Sequence, residues 1–237
     1  IQKIEWQGVN LMPIKKNFYI EHLDVQKRSD DEVEKIRKLK DIEILGGEMD
    51  DRGFPKPIIA FKEAPFPDWV TDNFKNKGWK EPTPIQIQIW PVAMQGRDLI
   101  GIAETGSGKT LAYILPMMVH ILDQPELRAT EGPVGVVLCP TRELALQIDS
   151  VAKDFTGFSG LRSTCIYGGA PVKEQGWALQ EKNDIVIATP GRFIQLLNEQ
   201  WTNLNRVTYV VLDEADEMLQ KGFEKQIDLI LSQVRPD

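Results

Sequence analysis

From Pro67 onward the chain alternates short apolar, β-branched runs with longer stretches in which apolar residues recur every three or four positions. The runs are DLIGIA (98–103), VGVVLC (134–139), STCIY (163–167), DIVIA (184–188) and TYVVLD (208–213). Helical spacing occupies 84–94, 109–122, 142–153, 171–181 and 191–198. A strand that is apolar at consecutive positions is buried on both faces, and parallel neighbours need a crossover, which the intervening helices supply. The pattern predicts an α/β fold, a mostly parallel β-sheet sandwiched between helices, with ligand-binding groups at the carboxyl ends of its strands. No repeat of solenoid period is visible.

The first 60 residues differ in texture, with charged clusters between short apolar runs and a Pro-rich close, GFPKPIIAFKEAPFP at 53–67. They are read as a mixed N-terminal extension and linker (1–60) before the main domain (61–237). Ser29, followed by Asp30, Asp31 and Glu32, offers a capping box, and Val33, Ile36 and Leu39 then recur at helical spacing, so a short helix is expected near 30–40. Lys35, Arg37, Lys38 and Lys40 lie on or beside its polar face, which suits either a solvated face or a phosphate contact. Asp41 to Leu45 is expected to add a short strand before Gly46-Gly47.

Composition narrows the class. Of 237 residues 42% are hydrophobic and 27% charged, enough for one well-packed core and unlike a disordered or collagenous chain. The longest apolar stretch, LAYILPMMVHIL (111–122), is interrupted by Pro116 and His120 and falls short of the ~20 residues a bilayer requires, so no membrane partner is expected. The opening IQKIEWQGVN has no signal-like apolar core, and the expected location is intracellular, in the nucleus and/or the cytoplasm. Cys139 and Cys165 sit inside apolar runs without paired spacing and are read as reduced core residues. A net charge of -7 removes any global electrostatic argument for nucleic-acid binding, so a polyanion must be held by a local site.

Two segments carry chemistry. DLIGIA runs into ETGSGKT, so Ala103 to Thr110 fits a phosphate loop in the required order of strand, glycine turn and helix. Thr105, Gly106, Ser107 and Gly108 form the turn, whose N–H groups point at phosphate from a helix N-terminus; Lys109 reaches the β- and γ-phosphates and Thr110 the Mg²⁺. Asp213 and Glu214 follow the apolar run TYVVL, where Asp213 can hold hydrated Mg²⁺ and Glu214 can orient or deprotonate the attacking water. Either segment alone could be an ordinary strand-to-helix turn; together they point to nucleotide hydrolysis.

Asp213-Glu214-Ala215-Asp216 spells DEAD, and at this point the chain resembles the first RecA-like domain of a DEAD-box ATP-dependent RNA helicase. GWKEPTPIQ (78–86) matches that family's adenine-sensing Q motif, with Phe61 at the upstream aromatic position, 17 residues before Gly78. The resemblance implies that Phe61, Lys80, Pro82, Thr83 and Gln86 join the phosphate loop in binding ATP. A glutamine amide offers both an acceptor and a donor to the adenine N6 amino group and N7, and Phe61 can stack on the base. Pro140-Thr141-Arg142, Gly168-Gly169 and Thr189-Pro190-Gly191-Arg192 match the RNA-contacting motifs in family order. Each turn gathers backbone N–H groups, a hydroxyl or a guanidinium, which suits sugar-phosphate contacts without strong sequence preference on a single RNA strand. Alone, they would be helix caps.

There are departures. Glu104 stands where the family often has Gln, Lys or Arg, and Glu217, Gln220 and Lys221 depart from the usual stretch after DEAD. The chain stops at VRPD, before the family's Ser-Ala-Thr motif and its second RecA-like domain, so the expectation is a fragment whose partner domain lies elsewhere in the full-length chain and which turns over little ATP alone. The expected cofactors are ATP and Mg²⁺, and the expected activity is local unwinding of short RNA duplexes. The alternative is an ATP-gated RNA clamp or scaffold in a ribonucleoprotein. The RNA target and the protein partners are not legible.

Overall fold

The computed structural model describes residues 1, 4–46 and 53–237, which fall into two compact units, Lys15–Asp123 and Ile1–Ile14 with Gln124–Asp237. Residues 15–46 and 53–60, read from composition as an extension, thus fall in the same unit as the glycine turn 106–108.

In the Lys15–Asp123 unit, α1 (Leu23–Gln26) precedes α2 (Asp30–Leu39), whose N-terminus carries the expected box: Ser29 Oγ accepts from Glu32 N, and Glu32 Oε2 accepts from Ser29 N. A short 3₁₀ turn (Phe61–Glu63) leads to α3 (Asp68–Asn76), α4 (Pro84–Met94) and α5 (Lys109–Leu122). Helix α4 is buried nearly all round and holds Pro91, which has no N–H to give the carbonyl of Ile87. Ile58 N fills that acceptor at 2.9 Å, fixing the Pro-rich segment along the helix. Trp90, fully buried, donates its indole N–H to the carbonyl of Leu111 and ties α4 to α5.

Of the basic residues on α2, Lys35 and Lys38 remain exposed, while Arg37 and Lys40 are engaged by the protein. Arg37 Nε donates to Gln88 Oε1 at 3.2 Å while its guanidinium lies over Phe54, and Lys40 pairs with Glu81. Two expectations fail here. Asp41 adopts φ +53 and no strand follows over 41–45; Gly47 lies outside the described residues. Residues 98–103 form no ladder either, and Ile100 and Ile102 are 91% and 86% exposed. An apolar run meets the demand of a buried strand, but a strand exists only where a neighbour pairs its backbone.

In the other unit, β1 (Gly135–Leu138), α6 (Arg142–Ser159), β2 (Ser163–Ile166), α7 (Val172–Gln180), β3 (Ile185–Ala188), α8 (Pro190–Asn198) and β4 (Tyr209–Leu212) alternate as the pattern predicts. They are followed by α9 (Ala215–Gln220) and α10 (Glu224–Leu231). The sheet is parallel throughout, in the order β2-β3-β1-β4, with Gly135 opposite Ile185 and Tyr209. Val136, Leu138, Val186 and Ala188 belong to a core shared with Phe193, Leu196, Met218 and Ile230, while the alternate residues Val137, Ile185 and Ile187 are equally buried. Burial on both faces explains why these strands read as unbroken apolar runs. Cys139 and Cys165 are both free thiols, and burial pushes each up to about 12, so both are inert near neutral pH.

Candidate functional site

Parallel strands deliver their carboxyl ends to one edge of the sheet, where four turns gather. Asp213 N continues the ladder by donating to the carbonyl of Leu138, and the chain then turns sharply: Glu214 adopts φ +52, ψ 48 and donates its N–H to Asp213 Oδ1 at 3.0 Å. A left-handed conformation at a non-glycine residue costs on the order of 1–3 kcal/mol, and such strain concentrates at functional positions. The turn leaves Asp213 buried at the strand end and starts α9 at once. On α9, Lys221 first, and then a hydrogen bond with Glu214, hold the Glu217 carboxyl below the ordinary carboxylate range.

The other three turns converge. Thr141 Oγ1 caps α6 by accepting from Leu144 N, and Pro190 opens α8 at its first position, where the missing N–H costs nothing. Arg142, on the first turn of α6, places its guanidinium over the Tyr167 ring, 4.7 Å from the centroid, beside Gly168-Gly169. Arg192 Nη1 donates to the carbonyl of Ala170 at 2.8 Å. The Pro140–Arg142, Gly168–Gly169 and Thr189–Arg192 segments are therefore brought together around residues 167–170. Two contributors were missed in the sequence. Tyr167 is the aromatic platform for Arg142, and Gln175, buried on α7, accepts from Tyr167 N and donates to its carbonyl, doing the work of a ladder partner. A tyrosine beside a glycine pair was a usable signal; nothing in the sequence marked Gln175.

The Lys15–Asp123 unit holds the other group of predicted residues. Gly106 and Gly108 adopt φ +80 and +88, turning the chain into α5 at Lys109. Lys109 Nζ donates to the carbonyls of Ala103 and Glu104, so the ammonium closes the loop on itself. Gln86, buried at the start of α4, accepts from Thr83 N through Oε1 at 3.0 Å and donates through Nε2 to the carbonyl of Gly108 at 3.1 Å. A Cβ added at Gly108 would lie 2.5 Å from Gln86 Nε2 and displace that amide, and φ +88 strains any other residue at this position. The hydroxyls of Thr83 and Ser107 are buried without a hydrogen-bond partner.

Phe61 stacks on Phe74, centroids 4.3 Å apart, with Trp90 at 6.2 Å. Pro82 is buried ahead of α4, whereas Lys80, Thr105 and Gly106 are exposed. All the predicted nucleotide-binding residues before Thr110, and Thr110 itself, thus lie in one unit.

The sequence model of the family described as DEAD/DEAH box helicase matches residues 83–237. Among curated proteins, the chain is 52% identical over 237 residues to the ATP-dependent RNA helicase DBP2 of Eremothecium gossypii, covering all of this chain and 42% of that protein. It is 52% identical over 236 residues to DEAD-box ATP-dependent RNA helicase 20 of Arabidopsis thaliana, covering 46% of it. The chain spans less than half the length of each. Among solved structures, the yeast DEAD-box splicing factor Prp28 superposes with a TM-score of 0.79 at 30% identity, over 88% of this chain and 49% of that one. Prp28 from Chaetomium thermophilum bound to ADP gives 0.77 at 35% identity, over 90% and 51%. The α/β fold with its parallel sheet is the RecA-like fold of these helicase domains.

Proposed function

We infer, for a chain that belongs to the DEAD/DEAH box helicase family, that it is the ATP-binding first RecA-like domain of an RNA-dependent ATP hydrolase that unwinds short RNA duplexes. The observation that carries the reading is the seating of the glycine turn 106–108 against Gln86 at the N-terminus of α5.

The residues fit ATP. Two buried hydroxyls, on Thr83 and Ser107, wait for partners, and the Lys109 ammonium holds only backbone carbonyls that a triphosphate can replace with stronger, charge-assisted bonds. Gln86 has used one lone pair and one N–H; the second of each remains for the adenine edge, and a guanine, with O6 as an acceptor, is refused there. Phe61 offers a ring to the base.

The expected ion, Mg²⁺, takes most of its ligands from phosphate and water. Thr110 and Asp213 would hold that Mg²⁺, which when bound neutralises phosphate charge. Glu214 orients the attacking water and takes its proton. Arg142 and Arg192, with the glycine pair between them, grip the sugar-phosphate backbone of one RNA strand, so binding is indifferent to base sequence. The second RecA-like domain of the full-length protein completes the site and closes on both ligands.

The test is steady-state ATP hydrolysis by the full-length protein with and without RNA, with displacement of a short duplex measured alongside and Glu214→Gln as control. RNA-stimulated turnover with displacement, abolished in the variant while ATP and RNA still bind, is the expected result. Weak turnover with long-lived ATP-dependent RNA retention would replace unwinding by clamping.

A further inference from the structure

Phe61 stands on a 3₁₀ turn of three residues, too short to hold a conformation by itself, and what fixes it comes from the N-terminal flank. Glu63, 4% exposed, accepts through Oε2 from Ile59 N at 2.9 Å and Ala60 N at 3.3 Å, the two residues before Phe61. Its Oε1 accepts from Arg28 Nη2 at 2.5 Å. The same guanidinium donates through Nη1 to the carbonyl of Pro57 at 2.6 Å, so Arg28 grips the chain on both sides of Phe61. Lys56 Nζ in turn donates to the carbonyls of Gln26 and Arg28, and Ile58 N is bound to Ile87 on α4. The loop that carries Phe61 is thus held at Pro57 and at Glu63 by Arg28, a side chain 33 residues upstream of Phe61.

We propose that Arg28, acting through Glu63, is the positioning residue for Phe61, and that the N-terminal flank thereby sets the affinity of the phosphate-loop unit for adenine nucleotides. This rests on the adenine reading of Phe61. A buried carboxylate that loses its cation is strongly disfavoured. Without Arg28, Glu63 turns toward water, releases Ile59 N and Ala60 N, and lets the Phe61 ring leave the plane in which it meets a base. The phosphate loop, held by Gln86 and by α5, is untouched by that movement. The flank therefore acts on the base and not on the phosphates.

That distinction supplies the experiment. Affinities for Mg-ADP and for inorganic tripolyphosphate, which has no base, are measured by calorimetry on the full-length protein. The variants are Arg28→Ala, Phe61→Ala and the double variant. Arg28→Ala should weaken ADP by about tenfold, the order of one base-aromatic stack, and leave tripolyphosphate unchanged. The double variant should be no weaker than Phe61→Ala, because the two residues act on one contact. Unchanged ADP affinity, equal losses for both ligands, or additive losses would overturn the proposal. If Arg28→Ala does not fold, Arg28→Lys, which keeps the cation but not the two-sided grip, is read by the same criteria. Equal affinity of the unmutated protein for ADP and tripolyphosphate would instead defeat the adenine reading, and the proposal with it.

Discussion

Lys109 spends its ammonium on the carbonyls of its own loop, a state that on the proposed function a phosphate must displace. Because the exchange trades neutral acceptors for anionic ones, Lys109→Ala should weaken ATP by roughly 10- to 100-fold in calorimetric titration, with the fold unchanged by circular dichroism. His120 presents another residue-scale consequence. Burial, with the nearby Asp123 opposing, pulls its imidazole down from 6.5 to about 4. The depressed group is neutral in the folded protein and charged in the unfolded chain between those values, so the unfolded chain binds more protons there. Stability therefore falls as pH drops from about 6.5 toward 4, by about 2 kcal/mol at pH 5. Urea denaturation at pH 7 and pH 5 should show this loss, and His120→Gln should flatten it. The sequence marked Lys109 through its motif. It did not mark His120, whose shift is a product of the packing that seats it against Phe18.

Helix α4 shows how an element can depend on chain far from it. Pro91 leaves the Ile87 carbonyl without a helical donor, and at its end Gly96 meets the backbone of Lys16 so closely that a Cβ would lie 2.4 Å from the Lys16 carbonyl oxygen. Gly96 also adopts φ +69. Gly96→Ala should therefore destabilise the protein by about 2–4 kcal/mol and expose residues 15–19 to limited proteolysis, since strain and collision add. Helix α4 itself was legible, from Pro84 at its first turn to its apolar length. The strand expected at 98–103 was equally well supported by its residues and does not form, because periodicity reports what a segment could bury and pairing reports what it meets. The helix read as 142–153 runs on to Ser159, its continuation DFTGFS being weakly patterned.

Across the molecule, a net charge of -7 means that the proposed RNA binding would rest on a few placed cations. Arg142→Ala and Arg192→Ala should each weaken RNA broadly across sequences and lower the slope of log affinity against log salt by about one, as measured by fluorescence anisotropy of the full-length protein. A slope that stays the same in both would remove them from the backbone track. Turnover belongs to the same scale: hydrolysis stimulated by RNA should require chain beyond residues 1–237, and strong stimulation in that segment alone would dispense with the second domain.

By itself the sequence determined the alternation of strands and helices from 134 to 212 and, through its ordered motifs, the family, because each is a local pattern legible within a few residues. The tertiary structure decided what distant residues do to one another. It placed Tyr167 under Arg142, set Gln86 against Gly108, left 98–103 unpaired and packed the flank at residues 15–46 and 53–60 into the Lys15–Asp123 unit. Composition reads that flank as a linker because its apolar residues are few and scattered. Its packing rests on Phe18, Val25, Val33 and Ile58, all buried, together with backbone acceptors and the Arg28 guanidinium, groups whose value depends on what the rest of the chain brings beside them.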